Sequence, residues 1–469
     1  MPTTMTFTPS LSEQLQGIVG AVHVLTDPAE IQPFVTDWRG RFVGSAQCVV
    51  RPANTTEVAA VVTACLEAGA PIVPQGGNTS LCGAATPDAT GQAVVVSLSR
   101  LNRIAAVDAK NNTISVGAGC TLAAVQAAAR EVDRLFPLAL ASEGTCQIGG
   151  NLSTNAGGVQ VLRYGNTREL TLGLEVVLPS GEIWDGLRGL RKDNTGYDLK
   201  QLFIGAEGTL GIITGAVLKL FPLPKSQTTC WLNVASPVAA VDLLNQAKIA
   251  FDGQLTAFEL VSETALGLVL KNIPDTLRPA SVSPWYVLAE LSDTSSYAVE
   301  YWLHARLEAG EVLDAVIAQS ETQAAKLWSL RENISEAQKI EGISIKHDIA
   351  VPVSAIPAFL EQADATLAAA FPGIRVVAFG HVGDGNLHYN LSKPDAQENT
   401  HFIDSQPAVN RIVHDTVDAL NGSISAEHGI GQLKREELLR YKSPVEMALM
   451  RSIKQALDPR GLMNPGKVL

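Results

Sequence analysis

The 469-residue chain carries a formal net charge of −12, with 46% hydrophobic and 17% charged residues, and is too long for one ordinary hydrophobic core. That balance describes a water-soluble globular protein of two or three domains. It excludes a generally basic nucleic-acid-binding surface and contains no run near the roughly 20 apolar residues that cross a bilayer. Six cysteines, all in the first half and none in a CxxC pair, read as buried free thiols in a reducing cytosol. The opening Met1-Pro2-Thr3-Thr4 lacks the cationic start of a secretory signal, so a cytoplasmic protein is expected.

Residues 1–44 read as an entry segment with a helical start over 12–22. A β/α alternation then begins. Val49-Val50-Arg51-Pro52 is a short strand, and Asn54-Thr55-Thr56-Glu57 resembles a capping box opening a helix to about Ala68. A strand over 71–74 ends in the glycine-dense run 75–83. Strands follow at 94–98 and 113–117, then an alanine-rich helix over 121–132. A second glycine-dense stretch, 141–158, reads as a long loop with almost no regular structure. Strands resume at 172–178 and 212–220, and Phe221-Pro222-Leu223-Pro224-Lys225 marks a domain boundary, because proline ends a strand cleanly. From Thr229 to about Leu391, short strands such as 285–291 alternate with long amphipathic helices, one over 320–339. This is an α+β pattern with an antiparallel sheet. Residues 434–469 look mostly helical. The expected division is 1–44, a first domain over 45–224, a second over 225–432, and a helical segment over 433–469 that packs back on the first. No repeats are present.

Glycine lets backbone N–H groups approach a phosphate and adopt positive φ, so two such loops in one β/α domain favour a nucleotide-type cofactor over two tight connections. Neither loop fits the strand-GxGxxG-helix fingerprint. Gly117-Ala118-Gly119 lies between a strand and a helix, but position 122 is leucine, which argues against a nicotinamide-binding unit.

The densest chemistry lies in His381-Val382-Gly383-Asp384-Gly385-Asn386-Leu387-His388-Tyr389-Asn390 and in Ala426-Glu427-His428-Gly429. Gly-Asp-Gly-Asn is turn chemistry, so a hairpin is expected with the two histidines on its arms. Glu427 or His428, arriving from a later strand end, would complete a site for a borderline divalent metal. Three protein ligands would mark a catalytic ion and four a structural one. Arg331 and Ser335, spaced i, i+4, share a face of the predicted helix, and Lys346 follows on a strand.

The runs Pro74-Gln75-Gly76-Gly77-Asn78-Thr79-Ser80, Ile148-Gly149-Gly150-Asn151-Leu152-Ser153-Thr154-Asn155-Ala156-Gly157-Gly158 and Gly205-Ala206-Glu207-Gly208-Thr209-Leu210-Gly211-Ile212 resemble the FAD site of the p-cresol methylhydroxylase/vanillyl-alcohol oxidase flavoprotein superfamily. Within it, the histidine motifs and the closing Asn464-Pro465-Gly466-Lys467 are similar to the D-2-hydroxyacid dehydrogenases, most of all to their D-2-hydroxyglutarate branch. The resemblance covers the chain from about Cys48 to Leu469. It implies a two-subdomain FAD-binding domain, an α+β substrate domain and a C-terminal helical segment. The FAD is expected to be non-covalent, since no histidine lies in or beside either glycine loop.

By the same resemblance, Gly76, Gly77, Asn78, Thr79, Ser80, Gly144, Thr145, Cys146, Gly149, Gly150 and Asn151 surround the pyrophosphate, and Glu207 and Ile212 line the adenine and ribose end. Pro74, Gln75, Ser153, Thr154, Gly157, Gly211 and Asn464 are also assigned to the cofactor. His381, His388 and Glu427 would hold the metal, Zn2+ first, with Mn2+, Co2+ or Fe2+ as alternatives. Arg331, Ser335 and Lys346 would hold a substrate's distal carboxylate, with Asn390 on the nearer one. His428 would contact the substrate and act as general base, with support of the metal's ligands as its other reading. The implied reaction is hydride transfer from a D-2-hydroxyacid, D-2-hydroxyglutarate or D-malate, to flavin N5. Electrons would pass to an electron-transfer flavoprotein or quinone, and the resemblance suggests a homodimer. A D-lactate or glycolate dehydrogenase, and a non-catalytic flavin-carrying redox subunit, are the alternatives.

Overall fold

The computed structural model describes residues 9–394 and 398–469, so the reading of the first eight residues lies outside the described ones. The chain forms two compact units. One holds the described residues up to Ala156 with Asn166–Leu223 and Glu427–Leu469, and the other holds Gly157–Gly165 and Pro224–Ala426. The change at Leu223/Pro224 falls within the proline-rich run 221–225, and the chain re-enters the first unit at Glu427.

The first unit contains a four-stranded sheet in the order Val24–Leu25, Ala46–Val50, Ala93–Ser97, Ile72–Gln75, parallel except at its first pair. Its parallel strands are covered on both faces, which is why they read as unbroken apolar runs. Val50, Val94 and Val96 enter one core with Val58, Val61, Val62 and Cys65 of the helix Thr55–Ala68, while Val49, Val73 and Val95 enter another. That helix starts where Asn54 accepts from the Glu57 N–H, and it ends at Gly69 in the left-handed region. A five-stranded antiparallel sheet follows, ordered Ile104–Asp108, Thr113–Gly117, Ile212–Lys219, Thr171–Val177, Ile183–Gly186.

The stretch 141–158 is not structureless, because Ile148–Ser153 is a helix. The Ile148 and Gly149 N–H groups donate to the Cys120 and Ala118 carbonyls at 2.9 and 2.8 Å, and a Cβ at Gly149 would lie 2.8 Å from that of Ala118. Tertiary hydrogen bonds and close approach organise a segment whose composition reads as loop. The C-terminal helices Arg435–Tyr441 and Pro444–Leu457 belong to this unit, where Lys454 Nζ donates to the Thr209 carbonyl at 2.7 Å.

The second unit is built on one antiparallel sheet, ordered Asp314–Ile317, Gln227–Val234, Trp285–Ser292, Leu255–Ser262, Arg375–Gly380, Asn386–Ser392. The short strands Ser344–Ile345 and Asp348–Ala350 both pair with the last of these. Trp231, Tyr286, Leu266, Leu330, Ile334 and Phe379 form part of its core. The helix expected over 320–339 is two helices, Glu321–Glu332 and Ile334–Glu341, divided at Asn333. At that residue the Ser329 carbonyl accepts from both the Asn333 N–H at 3.1 Å and the Asn333 side-chain amide at 2.8 Å. Arg331 and Ser335 therefore do not share one helix face: Arg331 is buried and Ser335 exposed.

All six cysteines are buried and outside any disulfide, and burial pushes the Cys48 thiol up to about 11 and those of Cys65 and Cys230 to about 12. Among the described residues, no helix is long and apolar enough to cross a membrane.

Candidate active site

The expected hairpin is present. Phe379 pairs with His388 across the strands Arg375–Gly380 and Asn386–Ser392, and the Asp384 and Gly385 N–H groups turn back onto the His381 carbonyl at 3.1 Å. Glycine is required at Gly385, where φ is +93° and a Cβ would meet the Val351 carbonyl at 2.3 Å. His381 opens the loop and His388 lies on the returning strand, their ring centroids 5.6 Å apart.

Behind each histidine stands a carboxylate that the motifs did not reveal. Glu259, in the strand Leu255–Ser262, is fully buried; Oε1 lies 2.5 Å from His381 Nδ1, and Oε2 accepts from Arg331 Nε at 2.7 Å. Burial alone would raise the Glu259 carboxyl, but the charges and hydrogen bonds of His381 and Arg331 outweigh it and hold the group down at about 2. An ionised acceptor at Nδ1 fixes the proton on that nitrogen and leaves Nε2 as the coordinating atom. His388 Nδ1 lies 3.8 Å from Asp348 Oδ1, and Asp348 in turn accepts from the Asn386 amide at 2.9 Å. One signal was available: Glu259 is the only acid in an otherwise apolar and hydroxyl run, Leu-Thr-Ala-Phe-Glu-Leu-Val-Ser.

Arg331 stacks over Phe379, its Cζ 4.7 Å from the ring centroid. Its Nε is taken by Glu259, while among the described residues no hydrogen bond engages its Nη groups. Lys346 is exposed, at the interruption between the two short strands. Asn390 has partners within the second unit. It is buried, its Nδ2 donates to Gln338 Oε1 at 2.8 Å, and its Oδ1 accepts from the His347 N–H at 3.2 Å. The side-chain oxygen stands in for a ladder carbonyl where the strand pairing is interrupted, so Asn390 braces the sheet.

Glu427 and His428 do not arrive from a strand end, since 420–434 holds no strand. The Ala426 N–H donates to the Asp348 carbonyl at 3.2 Å, and Glu427 is the next residue along the chain. After His428 the chain turns in the first unit, with Gly429 and Gly431 at φ +73° and +52°. Glu207 fixes that turn. Its two oxygens accept from the Ile430 and Gly431 N–H groups at 2.7 and 2.8 Å, which anchors that turn. Burial pushes its carboxyl up, against the pull of those two hydrogen bonds. Asn464 is likewise a staple, donating to the Ala84 and Glu207 carbonyls.

The other cofactor candidates of the first unit divide by what they touch. The two glycine loops pack on each other: a Cβ at Gly77 would lie 2.1 Å from the Thr145 carbonyl oxygen, and one at Gly76 would lie 3.4 Å from Gln147 Cβ. Gln75 donates to the Phe34 and Ala85 carbonyls, Asn78 (φ +54°) donates to those of Pro33 and Thr36, and the Ser80 hydroxyl accepts from the Cys82 and Ala84 N–H groups. The Ser153 and Thr154 hydroxyls donate back to the Gly149 and Gly150 carbonyls, and Asn151 donates to Cys146 Sγ. Pro74 continues the strand Ile72–Gln75, and Thr79 follows Asn78 in the loop. Ile212 is core, and Gly211 allows close contact with Val176. Gly157 falls in the second unit.

These loops fit a dinucleotide. A Cβ at Gly144 or Gly150 would meet nothing within 4 Å, which leaves open space beside bare backbone. Among the described residues, the Gln147 and Asn78 side-chain oxygens are also buried with no hydrogen-bond partner.

A family model described as "FAD binding domain" matches residues 46–186, and one described as "FAD linked oxidases, C-terminal domain" matches residues 223–468. A protein of Xanthomonas citri pv. viticola named D-2-hydroxyglutarate dehydrogenase is 42% identical over 460 residues, covering 97% of this chain and 96% of its own length. One of Stutzerimonas stutzeri with the same name is 39% identical, covering 98% and 99%. The mitochondrial D-2-hydroxyglutarate dehydrogenase of Danio rerio is 38% identical, covering 95% and 82%. Among solved structures, p-cresol methylhydroxylase with substrate bound superposes with a TM-score of 0.76 at 16% identity, over 98% of this chain and 96% of the other. An alkyldihydroxyacetonephosphate synthase superposes with a TM-score of 0.73 at 17% identity, over 99% and 87%. At those identities the two structures establish the fold.

Proposed function

Since the chain belongs to the D-2-hydroxyglutarate dehydrogenase family of FAD-linked oxidases and is an FAD-dependent D-2-hydroxyacid dehydrogenase, we propose that it oxidises D-2-hydroxyglutarate, and D-malate beside it, to the 2-oxoacid with the aid of a divalent cation. One observation carries this reading: the buried Glu259 carboxylate holds the His381 imidazole at Nδ1 at 2.5 Å, the arrangement that orients histidine for a metal, with the His388 ring 5.6 Å away on the same hairpin. We assign His381, His388 and Glu427 as ligands, a nitrogen and oxygen set suited to Zn2+, with Mn2+, Co2+ and Fe2+ next. The loops around Gly76, Gly77 and 144–151 hold FAD without a covalent bond.

When bound, the cation supplies a Lewis acid that makes a 2-hydroxyl easier to deprotonate, and FAD supplies the two-electron acceptor. The chain's own groups do the rest. His428 takes the hydroxyl proton as general base. Arg331 offers its Nη edge to the substrate's distal carboxylate, while Lys346 adds a point charge and Ser335 a hydroxyl donor. Arg331 is held by Glu259 and Phe379 in advance, which lowers the ordering cost of the clamp. We assign reoxidation of the flavin to an electron-transfer flavoprotein or a quinone.

Two measurements test this reading. Anaerobic D-2-hydroxyglutarate is expected to bleach the flavin absorbance of the purified protein. Dialysis against EDTA should stop the bleaching with FAD still bound, and added Zn2+ should restore it. Bleaching undiminished by chelation removes the cation from the reaction, and no bleaching by any D-2-hydroxyacid removes the reading. Lys346→Ala is expected to raise KM for D-2-hydroxyglutarate by about 10–100-fold, the loss of a charge-assisted hydrogen bond of about 1.5–3 kcal/mol, and to change D-lactate turnover little. Equal losses on both acids would refute the dicarboxylate assignment.

A further inference from the structure

We propose that Glu259 is a shared positioning residue, one carboxylate that sets both the His381 imidazole and the Arg331 guanidinium, so that cation binding and dicarboxylate selection depend on the same group. The inference rests on the reading above and deepens it.

Three elements converge on this residue. Its strand is central in the sheet: Glu259 pairs with Leu288 on one side, and its neighbour Leu260 pairs with Gly380 on the other. His381 directly follows Gly380, so the imidazole leaves the sheet beside Glu259. Arg331 closes the helix Glu321–Glu332 and lies over Phe379, which pairs with Val261. The carboxylate is fully buried, and each of its oxygens serves a different partner, Oε1 to His381 at 2.5 Å and Oε2 to Arg331 at 2.7 Å. A carboxylate is the one side-chain group that offers two acceptors and no donor at this size. Glutamine in its place accepts from one partner and turns an N–H₂ against the other. A brace serving only the fold would need neither the imidazole nitrogen nor the guanidinium that faces substrate.

The test is Glu259→Gln in the full-length flavoprotein, with FAD content and thermal midpoint recorded beside it. The expected result has two parts. The dissociation constant for Zn2+, read by competition with a chromogenic chelator, rises about 10–100-fold, the range for loss of a group that orients a metal-bound histidine. The kcat/KM preference for D-2-hydroxyglutarate over D-lactate falls at least about tenfold, through KM, as one misplaced charge-assisted contact predicts.

Glu259→Gln alone leaves a buried guanidinium unpaired, which can unfold the chain. The double variant E259Q/R331Q removes that charge, and its Zn2+ affinity is compared with that of R331Q. A further drop of the same size supports the proposal. Zn2+ affinity within about twofold of the parent in both comparisons, or an unchanged substrate preference in E259Q, overturns it. His381→Ala separates the two levels: if that variant still binds Zn2+ like the parent, the cation assignment itself fails. If it loses Zn2+ while E259Q does not, only the role of Glu259 fails.

Discussion

His428→Asn is expected to lower kcat for D-2-hydroxyglutarate by about 10²–10⁴-fold, the usual contribution of a positioned general base, with FAD and cation content unchanged. Asparagine has similar reach and polarity but cannot take a proton. Other groups hold the turn behind residue 428. Glu207 holds the Ile430 and Gly431 N–H groups at 2.7 and 2.8 Å, and the Gln432 amide donates to the Gly83 and Thr86 carbonyls. The acid limb of the kcat/KM profile, which reports protonation of the base, is expected to vanish in this variant. A loss of kcat with the limb intact would assign proton removal to another group. A loss of bound Zn2+ would give His428 the other role its sequence context allowed, support of the metal's ligands.

Gly77→Ala is expected to remove most of the bound FAD and to lower stability together. Its Cβ would lie 2.1 Å from the Thr145 carbonyl oxygen and 2.9 Å from the carbonyl carbon, closer than real Cβ atoms are found, and 3.0 Å from Cys146 Cα. Backbone cannot step aside as a side-chain tip can, so the two glycine loops must separate, at a cost of about 1–3 kcal/mol or more. Gly150→Ala is the matched contrast, because a Cβ there meets nothing within 4 Å. It is expected to leave the thermal midpoint of the FAD-free protein unchanged and still to weaken FAD binding, by filling space beside the loop that the pyrophosphate would use. The readouts are flavin-to-protein absorbance ratio and thermal unfolding with and without added FAD. Full FAD occupancy in both variants would move the cofactor away from these loops.

The sequence was informative where one residue type answers one local demand. Gly-Asp-Gly-Asn between two histidines specifies a hairpin, because only glycine accepts φ +93° beside the Val351 carbonyl, and that turn brings His381, at its start, near His388 on the returning strand. The valine-rich strands and the Asn54 cap were legible for the same reason, as was the family, whose motifs are themselves local. Errors arose where several partners compete for one group. The helix over 320–339 has continuous helical composition, yet it divides at Asn333, where the Ser329 carbonyl accepts both the Asn333 N–H and its side-chain amide.

Residue types and their short-range spacing thus determined the cofactor class, the α+β architecture, the hairpin and its two imidazoles. Only the tertiary structure decided which carboxylates stand behind those imidazoles and which glycine-loop neighbours are anchors. Glu259 lies 122 positions from His381 and 72 from Arg331, and Glu207 lies 223 from Ile430. No periodicity spans such separations. A buried charge takes its meaning from the donors that folding brings to it, and those are set by sheet register and helix docking rather than by adjacent sequence.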